Sequence, residues 1–151
     1  MLSLLLATTA FGQQRIVNGE EVQGADFPEV VFVQSTGNCT GSLIHPEWVL
    51  TAAHCFDGVT IADVPDGDAT FAWGNNGNLP DLSVAADEVF IHPQYLSIGP
   101  SPNAIGEGAS GTENDVALIH LAEPVSNPLM ALNEAELDDS WIGLDVTFIG
   151  F

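Results

Sequence analysis

Apolar residues in this chain come in short bursts, and their spacing limits the fold more than any other feature. Segments 29–35, 41–44, 48–51, 69–73, 82–86, 88–92 and 116–121 are rich in Val, Ile, Leu, Phe and Trp, and Gly, Pro, Asn and Asp lie between them. Runs this short, bounded by turn formers, are strand candidates. His45-Pro46-Glu47 separates the second and third, as a turn would. Many short strands in close succession predict a β-sandwich or barrel and argue against βαβ units. Residues 99–112, dense in Gly, Ser, Pro and Asn, read as an exposed loop, and 132–139 fits a helical turn or a loop. Internal repeats, long heptads and low-complexity tracts are not found.

The chain has 151 residues, a size that suits one domain and at most two small ones. A single Lys/Arg stands against 21 Asp/Glu, giving 1 − 21 = −20. That balance excludes a basic nucleic-acid footprint and opposes adhesion to anionic membranes. Hydrophobic residues make up 46% and charged residues 15%, so the chain can build a core and is not a disordered acidic tail. Strong acidity keeps a protein soluble by self-repulsion and costs compact-state stability at low salt. It fits adaptation to a salty or otherwise demanding exterior. Two Cys permit one disulfide and are too few for a Cys-rich zinc site.

Residues 2–10 form an apolar run too short to span a bilayer. Ala10 and Gly12 follow as small residues two apart, as a signal-peptidase site prefers. Residues 1–12 therefore read as a signal peptide cut after Gly12, although no basic residue precedes the run. Export suits the two Cys, since a structural disulfide needs an oxidising compartment. Arg15, the only cationic side chain, directly precedes Ile16-Val17. On its own it reads either as a processing point or as a chance residue in a mobile terminus.

The densest chemistry runs from Cys39 to Cys55, through Trp48-Val49-Leu50-Thr51-Ala52-Ala53-His54. If the two Cys pair, they close a loop of about 15 residues, worth about 3 kcal/mol in the chain-entropy account. Such a bond would pin the backbone beside His54, and a fixed imidazole suits a general base. Asp115 opens the buried-type run Val116-Ala117-Leu118-Ile119. An Asp so placed can accept from an imidazole N–H and hold its tautomer. Local chemistry leaves the alternatives open: a structural His at a packed turn, and an Asp that caps a strand.

At these residues the sequence resembles the trypsin-like (chymotrypsin-fold) serine peptidases. Ile16-Val17-Asn18-Gly19, the Trp48–Cys55 stretch and Asn114-Asp115-Val116-Ala117-Leu118-Ile119 look like that family's three N-terminal signatures, in order. Ile91-His92-Pro93-Gln94-Tyr95 resembles the segment between its His and Asp motifs. The resemblance implies an all-β fold, an antiparallel Greek-key barrel that is the first of two. It also implies that His54 is the catalytic base, Asp115 its orienting partner, and Cys39–Cys55 a disulfide bracketing the His. Arg15-Ile16 would be the zymogen activation bond. In the family the freed amine, here on Ile16, pairs with a buried Asp beside the nucleophile and arranges the oxyanion hole. The expected layout is a signal peptide at 1–12, an activation peptide at 13–15, the barrel at 16–125, and a linker with one strand of a second barrel at 126–151.

One departure matters. The family's Gly-Asp-Ser-Gly-Gly nucleophile motif does not occur in these residues. Gly108-Ala109-Ser110-Gly111 stands before Asp115 and reads as a surface loop. Val146 to Phe151 resembles the opening strand of the second barrel, with the rest missing. The resemblance therefore implies a secreted or periplasmic serine endopeptidase, with protein or peptide substrates, an activating protease and a C-terminal barrel as partners. The chain as written lacks its nucleophile and is expected to be inactive alone. The competing expectation is a non-catalytic binding module built on the same fold. No cofactor or metal is expected. Asp63, Asp66, Asp68 and Asp81 lie near a Gly/Asn-rich stretch but lack EF-hand spacing. His45 and His92 read as turn residues, and His120 as a core or edge histidine. Asn38-Cys39-Thr40 fits a glycosylation sequon whose middle residue is a disulfide candidate.

Overall fold

The computed structural model describes residues 19–20, 26–35, 37–57, 70–73, 82–100 and 110–150. Six strands close an antiparallel barrel: β1 (Val30–Gln34), β2 (Asn38–His45), β3 (Trp48–Thr51), β4 (Thr70–Trp73), β5 (Leu82–Ile91) and β8 (Ala117–Leu121). Around the barrel their order is β1-β2-β3-β8-β5-β4. Strands β1 to β3 follow one another by tight turns, and β4 then lies against the free edge of β1. This is the Greek-key arrangement. Closure gives every strand of the barrel a neighbour on both sides, although β5 pairs with β4 only over 82–85 and with β8 only over 86–91.

The all-β barrel expected from the sequence is the fold observed. Two of its expected strands, 82–86 and 88–92, are one ten-residue strand, β5, irregular between Ala86 and Glu88 where it pairs with β8. A bulge bends a strand around a barrel without ending it, which explains why the sequence pattern breaks there. The expected loop at 99–112 is also different at its ends. β6 (Leu96–Pro100) and β7 (Ser110–Glu113) pair as a separate two-stranded ribbon, Leu96 opposite Glu113. Residues 132–139 form no helix; a 3-10 turn follows at Asp139–Trp141. The leader at 1–12, the Arg15–Ile16 bond, and Asp63, Asp66, Asp68 and Asp81 lie outside the described residues.

Strand alternation builds the core. On β8, Ala117, Ile119 and Leu121 point inward and are buried, while Leu118 and His120 face outward. They meet Val31, Val33, Leu43, Val49, Ala86 and Val89 from the other strands. Gly41 lies on β2 with side chains of β1 and β3 crowded against it. A Cβ there would lie 2.6 Å from Val49 Cγ1 and 3.1 Å from both Leu50 O and Val33 Cγ2, so the position needs a residue without a side chain. After β8 the chain runs back along the barrel wall. Val125 N donates to Pro46 O and Met130 N to Leu43 O, at 2.9 and 2.7 Å. Residues 144–150 are in no strand.

Candidate active site

His54 rides on a single 3-10 turn, Ala53–Phe56, that follows β3 directly. Three residues per turn put Ala53 and Phe56 on one side, and both are buried in the barrel core. His54 is left facing out, its side chain 53% exposed. The small Ala52 and Ala53 let the turn approach the barrel end. Two bonds hold the turn there, and a third fixes the end of β3 that leads into it. The Cys39–Cys55 disulfide ties it to β2, with Cα atoms 6.2 Å apart. The Ser35 hydroxyl donates to Cys55 O, and the buried Thr51 hydroxyl donates to Thr40 O at 3.0 Å. Cys39, His54 and Cys55 cluster closely enough to suggest a metal site, but both sulfurs are spent in the disulfide and offer no thiolate.

Asp115 reaches this turn from the entrance of β8. Its Oδ2 lies 2.8 Å from His54 Nδ1, and its Oδ1 accepts the His54 backbone N–H at 2.8 Å. The Thr112 hydroxyl adds a third donor, to Oδ2 at 3.0 Å. Asn114, just before, adopts a left-handed backbone with φ of 52°, a conformation Asn tolerates better than most residues. It redirects the chain so that the carboxylate turns toward His54.

Partial burial pushes the Asp115 carboxyl up, but the hydrogen bonds from the His54 ring, the His54 amide and Thr112, with the charge of the imidazole, outweigh it. The net result is a carboxyl held below its ordinary value of 3.8. Close by, the Tyr95 phenol is held above its usual range, first by desolvation and then by the hydrogen bond and charge of Asp57. An ionised, doubly anchored carboxylate fixes Nδ1 as the protonated nitrogen of His54 and leaves the lone pair on Nε2. That is the form a proton-accepting imidazole needs.

The structure thus brings together His54 and Asp115, which are 61 residues apart in sequence, and joins Cys39 to Cys55. The side chains of the remaining histidines do not join the dyad. His45 Nδ1 accepts the Glu47 amide and His92 Nδ1 the Gln94 amide, both inside turns. His120 lies on the outer face of the barrel, its Nδ1 2.6 Å from Asp87 Oδ1 and its ring edge-on to Trp48. Sequence reasoning missed Thr112, which it assigned to a loop, and the structural parts played by Asn114 and Tyr95. The last two stand inside the quoted motifs, so the motifs were the available signal.

Comparison with known proteins identifies relatives of this chain. The trypsin family model matches residues 16–150. Vitamin K-dependent protein C of Mus musculus is 34% identical over 115 residues, covering 74% of this chain and 22% of that protein. Brachyurin of Leptuca pugilator is 32% identical over 113 residues, covering 74% of this chain and 43% of its own length. Among solved structures, the Vibrio cholerae VesB protease superposes with a TM-score of 0.55 at 28% identity, over 79% of this chain and 34% of that one. The chain therefore spans less than half the length of each of these relatives.

Proposed function

The chain belongs to the trypsin family, and from that premise we propose that it supplies the general base, His54, and the orienting acid, Asp115, of a secreted serine endopeptidase. The observation that carries the reading is the 2.8 Å contact between His54 Nδ1 and Asp115 Oδ2. Asp115 holds the tautomer. Nε2 of His54 then takes the proton of a serine hydroxyl as its oxygen attacks the peptide carbonyl, and afterwards returns it to the leaving amine. Asp115 stays ionised throughout and stabilises the imidazolium.

In this reading the serine and the oxyanion donors belong to a second barrel; the Gly-Asp-Ser-Gly-Gly motif is not among these 151 residues. In the same reading residues 1–12 are a signal peptide and 13–15 an activation peptide. The barrel is 16–125, and 126–151 lead toward a second barrel. A protease that cuts after Arg15 frees the Ile16 amine. The substrates are proteins or peptides, and the site of action is outside the cell. Among the described residues no helix is long and apolar enough to cross a membrane.

The test uses the product of the whole gene, with its activation bond cleaved. It should react with a serine-directed fluorophosphonate and hydrolyse peptide substrates. Asp115→Asn should lower kcat by about 10⁴-fold and His54→Ala by about 10⁶-fold, with the fold retained by circular dichroism. A folded product that neither labels nor hydrolyses would replace this reading with that of a non-catalytic binding module.

A further inference from the structure

The dyad is made by two turns that lie 61 residues apart in sequence, and a third turn touches both. Residues 92–95 connect β5 to β6. Tyr95 N donates to His92 O at 2.8 Å, closing that turn. On one side, the Tyr95 hydroxyl lies 3.0 and 3.1 Å from the two carboxylate oxygens of Asp57. Asp57 ends the 3-10 turn that carries His54, its own N–H donating to His54 O at 3.1 Å. On the other side, Asn114 Nδ2 donates to Gln94 O at 3.0 Å, and His92 N donates to Val116 O at 3.0 Å. The residues gripped there, 114 and 116, flank Asp115. The Tyr95 ring packs against the barrel core, so the hydroxyl projects from a fixed base.

We infer that the 92–95 turn is a brace that holds the His54 turn and the Asp115 turn at their working separation, with Tyr95 and Asn114 as its positioning residues. Tyr95 and Asn114 act through Asp57 and through the backbone on either side of Asp115. A hydrogen bond to a carboxylate is among the stronger neutral-to-charged contacts, so Tyr95 is the stiffer arm. Asn114 supplies both a left-handed turn and a side-chain tether, a combination Gly could match only in the first respect. Displacements of about 1 Å at a reacting group can cost about 10²-fold in rate, which gives such a brace a purpose. The functional meaning of the inference rests on the proposed dyad; the mechanical claim does not.

The experiment is amide hydrogen exchange by NMR on the product of the whole gene, with its activation bond cleaved. The His54 N–H donates to Asp115 Oδ1, so its exchange reports separation of the two turns. The Ile119 amide, in the middle of β8, reports opening of the barrel. In Tyr95→Phe, which keeps the ring, His54 exchange should rise about tenfold while Ile119 stays unchanged. Asn114→Gly, which keeps the backbone angle, should act in the same direction. Asp57→Ala should match Tyr95→Phe, and Asp57→Asn, which retains an oxygen acceptor for the phenol, should restore most of the protection. Unchanged His54 exchange in Tyr95→Phe would overturn the brace. So would His54 and Ile119 rising together, since that is loss of the barrel and not of one contact. Because the readout is exchange and not hydrolysis, a failed peptidase assay leaves this result standing by itself.

Discussion

The barrel and the segment after it, 126–150, treat their apolar residues in opposite ways. Leu43, Val49, Ile119 and Leu121 are completely buried. Leu137, Ile142, Val146 and Phe148 are 71%, 79%, 71% and 81% exposed. Both regions are drawn from the same chain and the same acidic composition, so composition does not decide the outcome. Closure does: each barrel strand has two neighbours, and its inward side chains have a shared interior. Residues 144–150 join no strand, and large apolar side chains left in the open in this number mark a surface that other protein could cover. The candidate site stands on the closed region, at the end where β3, the 3-10 turn and β8 converge.

The sharpest way to break this contrast is to truncate one residue from each side of it. Leu121→Ala should destabilise the chain by about 2–5 kcal/mol, the range for opening a cavity in a packed core. Phe148→Ala should change stability by less than about 0.5 kcal/mol, as exposed substitutions do. Urea unfolding midpoints measured side by side decide it. A Phe148→Ala cost near that of Leu121→Ala would mean that the segment is packed after all.

A second test acts on the join between the barrel and the His54 turn. Removing the disulfide with Cys39→Ala and Cys55→Ala releases a loop of sequence separation 16. The expected cost is about 3 kcal/mol in the chain-entropy account. Alongside it, His54 amide exchange should rise more than that of Leu43. Equal changes at both would show that the bond stabilises the barrel as a whole and does not serve the turn in particular.

The contrast also explains how much could be read from the sequence. The strands at 29–35, 41–44, 48–51 and 116–121 were legible because each carries β-branched or aromatic residues between turn formers, and all four are barrel strands. The pairing of His54 with Asp115 was not legible from spacing; it came from motifs whose order matches a known family. Strand β7 was hidden because its residues, Ser110–Glu113, have no strand-like composition, and pairing with β6 supplies what propensity does not. Thr112 went unnoticed for that reason. The exposure of Leu137, Ile142, Val146 and Phe148 was equally invisible, since apolar residues in a sequence announce burial without saying against what.

The smallest expected effect compares two carboxylates, one in each region. Asp115 and Asp138 are both held below 3.8, Asp115 by the balance described above and Asp138 by hydrogen bonds from Ser140. A carboxyl depressed in the folded state contributes stability that is fully present above its unfolded value. The contribution is lost as pH falls through the lower, folded value. Acidification also relieves the self-repulsion of a chain of charge −20, an opposing trend, so the wild-type curve alone is ambiguous. Differences between variants isolate each group. The gap in unfolding midpoint between wild type and Asp115→Asn should be widest above pH 5 and should close below 3.8. The gap for Asp138→Asn should be small throughout, because that side chain is exposed and solvent screens its contacts. A wild-type to Asp115→Asn gap that does not change with pH would contradict a depressed carboxyl at the dyad. A gap at Asp138 as large as that at Asp115 would erase the distinction between the closed region and the open one.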